Sequence, residues 1–313
     1  MSKALLYLAN AYKANIDRQL GVPNVSHHNY KEMLKPTDRI ITFSGLHFFL
    51  LNTMIYDLGK KCAANYILKI TRRIASKHVA SLRDKAAEEA DKLSASGQCA
   101  TALVPLHLAI ELGHLPSRAL KAWLLLDGKE GVAEDHSEAF ELVKKGVRLG
   151  CHHCQGVMAR CYWGGYGIRP DAARSLELAR KSSESGSRYG QYVLGALYRF
   201  GEGGIAQDYA QALALYRLAA VRNLDEAQLS LGYINYDGEG SVVQDHVEAL
   251  RWFKLAAAQG HTKALYWVAY CYENSKGVDI NMAKAITWYK RAQAAGDLRA
   301  KWKLQRSTSL RVD

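Results

Sequence analysis

A period of 36 to 37 residues runs through this chain and limits its fold more tightly than composition does, because a sequence that repeats at that interval repeats one supersecondary unit. Residues 191–203 align with residues 228–240 and, more loosely, with residues 265–277. The units carrying them start at Gly190, Ala227 and Ala264. Stepping outward gives Arg118, Cys154 and Ala300, so successive starts lie 36, 36, 37, 37 and 36 residues apart.

Each unit has a second half with apolar residues at i, i+3, i+4, i+7 and i+8, the pattern of a helix with one buried face. Ala212, Leu215, Tyr216, Ala219 and Ala220 form one such set, and Ala249, Trp252, Phe253, Ala256 and Ala257 another. Eleven residues after the first position of each set comes a residue that tolerates the left-handed conformation of a helix end: Gly113, Gly150, Gly186, Asn223, Gly260 and Gly296. Four residues before the first position of a set stands a good N-cap, namely Asp135, Asp171, Asp208, Asp245 or Asn281. Glu138, Gln211 and Glu248 add capping-box spacing, which predicts reciprocal bonds at those helix starts. Gly-x-Gly turns at Gly165, Gly201 and Gly238 reverse the chain between the two halves. The spacing therefore predicts a string of antiparallel helix pairs.

Ala227, Leu231-Gly232, a tyrosine, Gly238-x-Gly240, the Asp245 cap and an aromatic followed by Ala256-Ala257 together resemble the Sel-one-like repeat (SLR) family, relatives of tetratricopeptide repeats with a longer turn. The resemblance covers about residues 82–313. It implies an all-α, right-handed α-solenoid of about six stacked helix pairs that serves as an adaptor between proteins. The division expected is a basic helical N-terminal region over 1–78, repeats over 79–296, and a capping helix and tail over 297–313. Many secreted members carry a signal sequence and regularly paired cysteines. This chain matches neither feature, which points to a cytoplasmic protein.

If the first helices line the concave side, the inward positions lie one residue before each unit start and two, six and nine after it. Those positions include Arg160, Trp163, Tyr189, Tyr192, Arg199, Tyr233, Tyr236, Tyr266 and Tyr270, with Trp302 from the closing helix. Tyr, Trp and Arg dominate binding hot spots, so a groove for a peptide or helix of a partner protein is the reading these residues support. The alternative for the same tyrosines is packing between repeats. The alternative role for the whole chain is a bacterial immunity or effector protein that binds one target.

Charge adds an N-terminal element. The chain carries 42 Lys and Arg against 30 Asp and Glu, and twelve of the former but only four of the latter fall in the first 80 residues. Residues 60–93 lack glycine and proline and read as one or two long helices, with Lys69, Arg72, Arg73 and Lys77 forming a basic stripe that suits an acidic protein better than nucleic acid or a membrane. Residues 1–12 read as an amphipathic helix. The apolar window 40–56 is too short and too polar for a membrane span.

Catalytic and cofactor signatures are weak. Cys151-His152-His153-Cys154 offers zinc-type ligands, yet four contiguous residues at a helix start point in different directions, and Cys154 falls on a small buried position of the repeat. The Gly-x-Gly turns lack the lysine and preceding strand of a phosphate loop, and His27-His28 has no nucleophile or acid at triad spacing. The expectation is a non-enzymatic scaffold with no cofactor or metal.

Overall fold

The computed structural model describes residues 62–129, 131–240 and 242–309, and every regular element among them is an α-helix. The chain divides into a unit ending at Ala75 and a unit Ser76–Asp313. The stretch expected as one or two long helices is a single helix, α1 (Cys62–Ala95). It is followed by α2 (Cys99–Glu111), α3 (Leu115–Asp127), α4 (His136–Arg148), α5 (His152–Gly164), α6 (Ala172–Glu184) and α7 (Arg188–Phe200). The series continues with α8 (Tyr209–Val221), α9 (Asp225–Asp237), α10 (His246–Ala258), α11 (Thr262–Glu273), α12 (Met282–Ala294) and α13 (Leu298–Ser309). Each odd-numbered helix from α3 to α11 packs on the even-numbered helix after it, and each pair packs on the next, which makes a solenoid of helix pairs.

Local chemistry sets the helix ends. Asp135, Asp171, Asp208, Asp245 and Asn281 each accept the backbone N–H three residues on, at 2.8, 3.0, 3.0, 3.0 and 2.9 Å. Gly113, Gly150, Gly186, Asn223, Gly260 and Gly296 all have positive φ. Beyond them the chain closes in a Schellman pattern, as where Cys151 N–H reaches the Gly146 carbonyl at 3.1 Å. The reciprocal half of the capping box is not formed. The N–H of Asp135 donates instead to the Leu125 carbonyl of the preceding helix at 3.0 Å, and Asp208 and Asp245 do the same to Tyr198 and Asn235 at 2.8 Å. Glu138 is thereby released to bind Lys121 at 2.6 Å. The cap residue thus ties the second helix of a pair to the end of the first.

The repeat core is built from small residues. Ala102, Ala139, Ser175, Ala212, Ala249 and Ala285 on the second helices are fully buried, as are Cys154, Ala227, Ala264 and Ala300 on the first. Where helices approach most closely even a methyl group is too large: a Cβ on Gly156 would stand 2.4 Å from the backbone nitrogen of Gly190, so α5 and α7 meet backbone to backbone. The first helices start at Leu115, His152, Arg188, Asp225, Thr262 and Leu298, which makes Ser117, not Arg118, the structural equivalent of Cys154. That one-residue shift matters for the inner face.

Candidate functional site

Counted from Ser117, the inward position six residues into α3 is Trp123, where counting from Arg118 lands on Leu124. Trp123 is 2% exposed and organises one end of the inner face. The rings of Tyr189 and Tyr192 stand 4.8 and 5.7 Å from it, the Arg160 guanidinium lies 4.2 Å over it, and its indole N–H donates to Glu226 Oε2 at 3.0 Å. Glu226 belongs to α9, three units along the chain. Beside it Lys129 pairs with Glu226 Oε1 at 3.0 Å and with Asp225, all three side chains being less than a tenth exposed. Gly97, just after α1, meets the Gln259–Gly260 backbone, with a Cβ there placed 3.1 Å from the Gln259 carbonyl carbon. The solenoid therefore touches itself across its inner side, and one part of the expected groove is filled by the chain.

Next to that contact a cleft of about 490 Å³ remains, and five sequence-expected residues line it: Arg160, Trp163, Tyr192, Arg199 and Tyr233. Residues that position counting missed complete the wall, among them Lys129, His136, Tyr166, Phe200 and His261. They sit in loops or at helix ends, where a face-counting rule does not reach. Arg160 donates to Asp127 at 2.8 Å, and Arg199 pairs with Glu239, Nε to Oε2 at 2.8 Å. Trp163 stacks on Phe200 with centroids 6.1 Å apart and donates to Glu202 at 2.6 Å.

The other expected residues lie elsewhere. Tyr189, 3% exposed, lines a separate cavity of about 240 Å³ with His114, His153, Arg188 and Arg222. The Tyr233 hydroxyl accepts the Trp267 indole N–H at 2.9 Å. Tyr236 and Tyr270 flank Trp267 with centroids 5.0 and 5.3 Å away, and Tyr266 lies under Arg299 at 4.1 Å. From Tyr233 at the cleft wall, Tyr236, Tyr266, Trp267 and Tyr270 continue as a seam along α9 and α11 beyond the cleft. Trp302 is 53% exposed on α13. Of the basic stripe, Lys77 is exposed, while the side chains of Lys69, Arg72 and Arg73 lie outside the described residues, as do residues 1–12 and 40–56 and His27-His28.

The Sel1 repeat model matches residues 119–151, 152–187, 188–221, 225–261 and 262–297, more than half of the chain. The chain belongs to the Sel1 repeat family. Sel1 repeat proteins are generally non-enzymatic scaffolds that bind protein partners. Among solved structures, a protective antigen of uropathogenic Escherichia coli displaying an SLR fold is 23% identical over 72% of this chain, with TM-score 0.46, and the chain spans 50% of its length. A Sel1 repeat protein from Oxalobacter formigenes is 25% identical over 68% of this chain and 86% of its own, with TM-score 0.48. An immunity protein from Pseudomonas aeruginosa is 21% identical over 57% of this chain and 65% of its own, with TM-score 0.40. No curated protein matches the sequence.

Within this Sel1 repeat chain the charges of the inner side are mutually satisfied. Burial opposes the Lys129 charge, but Asp225 and Glu226 outweigh it and hold the ammonium above its ordinary pKa. Burial likewise opposes the Asp225 carboxylate, and Lys129 outweighs it, leaving the carboxyl below its ordinary value. Arg160 is held high by Asp127 against burial in the same way. His261 sits at the edge of this group, and burial first, then Lys129, pushes it down to about 4. Asp225, Glu226 and His261 each bring one ligand atom to within 4.8 Å of the others, the spacing of a cation site, and it is the Lys129 ammonium that fills the cationic role. No helix among the described residues is long and apolar enough to cross a membrane.

Proposed function

We propose that the chain is a non-enzymatic adaptor whose cleft takes a short peptide or helix of a partner protein, with Tyr236, Tyr266, Tyr270 and Trp302 extending the contact along the aromatic seam. The observation that carries this reading is the division of labour on the cleft wall. Its buried charges are already paired within the chain, so Arg160 and Arg199 act as fixed supports, whereas the Trp163–Phe200 stack has Phe200 51% exposed. Exposed aromatic area held by a rigid frame binds at low entropic cost. A volume of about 490 Å³ admits a handful of side chains, which suits a segment better than a folded domain. Cys151, Cys154, Cys161 and Cys271, buried thiols outside any disulfide, suit a reducing compartment, and we infer a cytoplasmic site of action.

The test is selection of a displayed random-peptide library on the full chain, followed by titration of the enriched peptide against Trp163→Ala and Phe200→Ala. Loss of at least about tenfold in affinity, equivalent to about 1.4 kcal/mol, is expected for each. An enriched peptide that binds both variants as tightly as wild type places its site elsewhere and ends this reading.

A further inference from the structure

Cys151 and Cys154 open α5 as its N-cap and third residue. The Cys151 sulfur accepts the Cys154 backbone N–H at 3.4 Å, which brings the two residues together at the first turn of the helix. No other first helix from α3 to α13 has sulfur at either position: the equivalent pairs are His114 and Ser117, Ser187 and Gly190, Leu224 and Ala227, His261 and Ala264, and Asp297 and Ala300. Cys154 is fully buried, its sulfur 3.7 Å from the Leu115 carbonyl oxygen, whereas Cys151 keeps 5% of its surface at the helix start.

The surroundings are electropositive. The first backbone N–H groups of α5 converge on the Cys151 sulfur, as at any helix N-terminus. The Arg118 side chain lies near the Cys154 sulfur, both coming within 4 Å of where a Cβ on Gly146 would stand, and its Nε is buried without a hydrogen-bond partner. A cationic side chain beside a pair of thiols favours the thiolate form of one of them. Among the described residues no third metal ligand joins the pair, since the one cluster of three lies at Asp225, Glu226 and His261.

We propose that Cys151 and Cys154 form a reversible dithiol–disulfide pair oxidised by a hydroperoxide, with Cys151 as the attacking sulfur and Cys154 as the resolving one. The Cys151 thiolate attacks the terminal oxygen of hydrogen peroxide, the O–O bond breaks, and hydroxide leaves and is protonated to water, so the sulfur becomes a sulfenic acid. The Cys154 sulfur then attacks that of Cys151, the S–O bond breaks, and the departing hydroxide takes the Cys154 proton as a second water. Two thiols are oxidised and one peroxide is reduced to two waters. The neighbouring Cys154, the helix start and Arg118 hold Cys151 down to about 7, whereas the neighbouring Cys151 and burial raise Cys154, matching their opposite roles. Cys161 and Cys271, which lack these features, are pushed up to about 12 by burial.

The experiment uses the full reduced chain and limiting hydrogen peroxide, followed by alkylation and trypsin digestion, which releases residues 149–160 with both cysteines and no others. The expected product is that peptide unalkylated and lighter by two hydrogens, restored by dithiothreitol. It should form at least about tenfold faster than any oxidation at Cys161 or Cys271. The Cys154→Ser variant should stop at a Cys151 sulfenic acid that a dione reagent traps. Two alkylated cysteines in the wild-type peptide after peroxide, or oxidation at Cys161 or Cys271 at a similar rate, would overturn the proposal without bearing on peptide binding in the cleft.

Discussion

Replacing Lys129 by methionine is the sharpest test of the contact that closes the inner side. The substitution keeps the volume of the side chain and removes its charge, which leaves Asp225 and Glu226 facing each other with side chains 7% and 6% exposed and only the Trp123 indole still bonded to Glu226. Breaking a buried pair in this way costs about 3–5 kcal/mol. For a unit of this size that corresponds to a fall in Tm of about 6–20 °C at pH 7. The pH dependence then reverses. In the wild-type chain Asp225 is held below its ordinary 3.8, so its contribution is present above that value and is lost as pH falls through the lower folded pKa. In the variant burial acts on Asp225 without its Lys129 partner and raises that carboxyl, so acidification from pH 7 toward 5 should recover stability as it protonates. Calorimetry at both pH values measures the difference, and adding Asp225→Asn with Glu226→Gln should restore most of the loss. A Tm for Lys129→Met within about 2 °C of wild type at pH 7 would refute the reasoning.

Other outcomes follow from the same contacts. Gly156→Ala pushes a methyl group into the Gly190 backbone and should destabilise by about 3 kcal/mol or more in urea denaturation, because neither helix has a side chain to move aside. Asp208→Ala removes a single N-cap bond and should cost about 1 kcal/mol, with faster hydrogen exchange confined to the start of α8. His153 is pushed down to about 4, first by burial and then by neighbouring His152, Arg188 and Arg222. The unfolded chain therefore binds a proton more readily between pH 6.5 and 4, so stability should fall over that window by about 2 kcal/mol, and NMR titration should find the His153 ring neutral at pH 5.

The parts of this fold legible in the sequence are those decided within a few residues. Asp208 and Asp245 cap helices because a carboxylate three positions from a free N–H has few better partners, and Asn223 ends one because it tolerates positive φ. The inner face was legible only in part. Arg160, Tyr192 and Arg199 lie in the cleft as position counting implies, yet a slip of one residue in the first unit hid Trp123, the ring on which Arg160 rests. Contacts such as Lys129 to Asp225 leave no periodic trace, because they join unlike positions of units three apart. Phe200 escaped for a simpler reason: it ends its helix, past the last position that helical counting assigns to a face.

The link between α3 and α9 also bears on how such a chain can change over generations. An open array gains or drops a module with little penalty, since every module answers only to those beside it. Here the spacing between Lys129 and its two acids is fixed at three modules, so deleting or duplicating one in between would leave a buried ammonium and two buried carboxylates stranded apart. Modules beyond His261 carry no such obligation, and length variation among descendants should collect there.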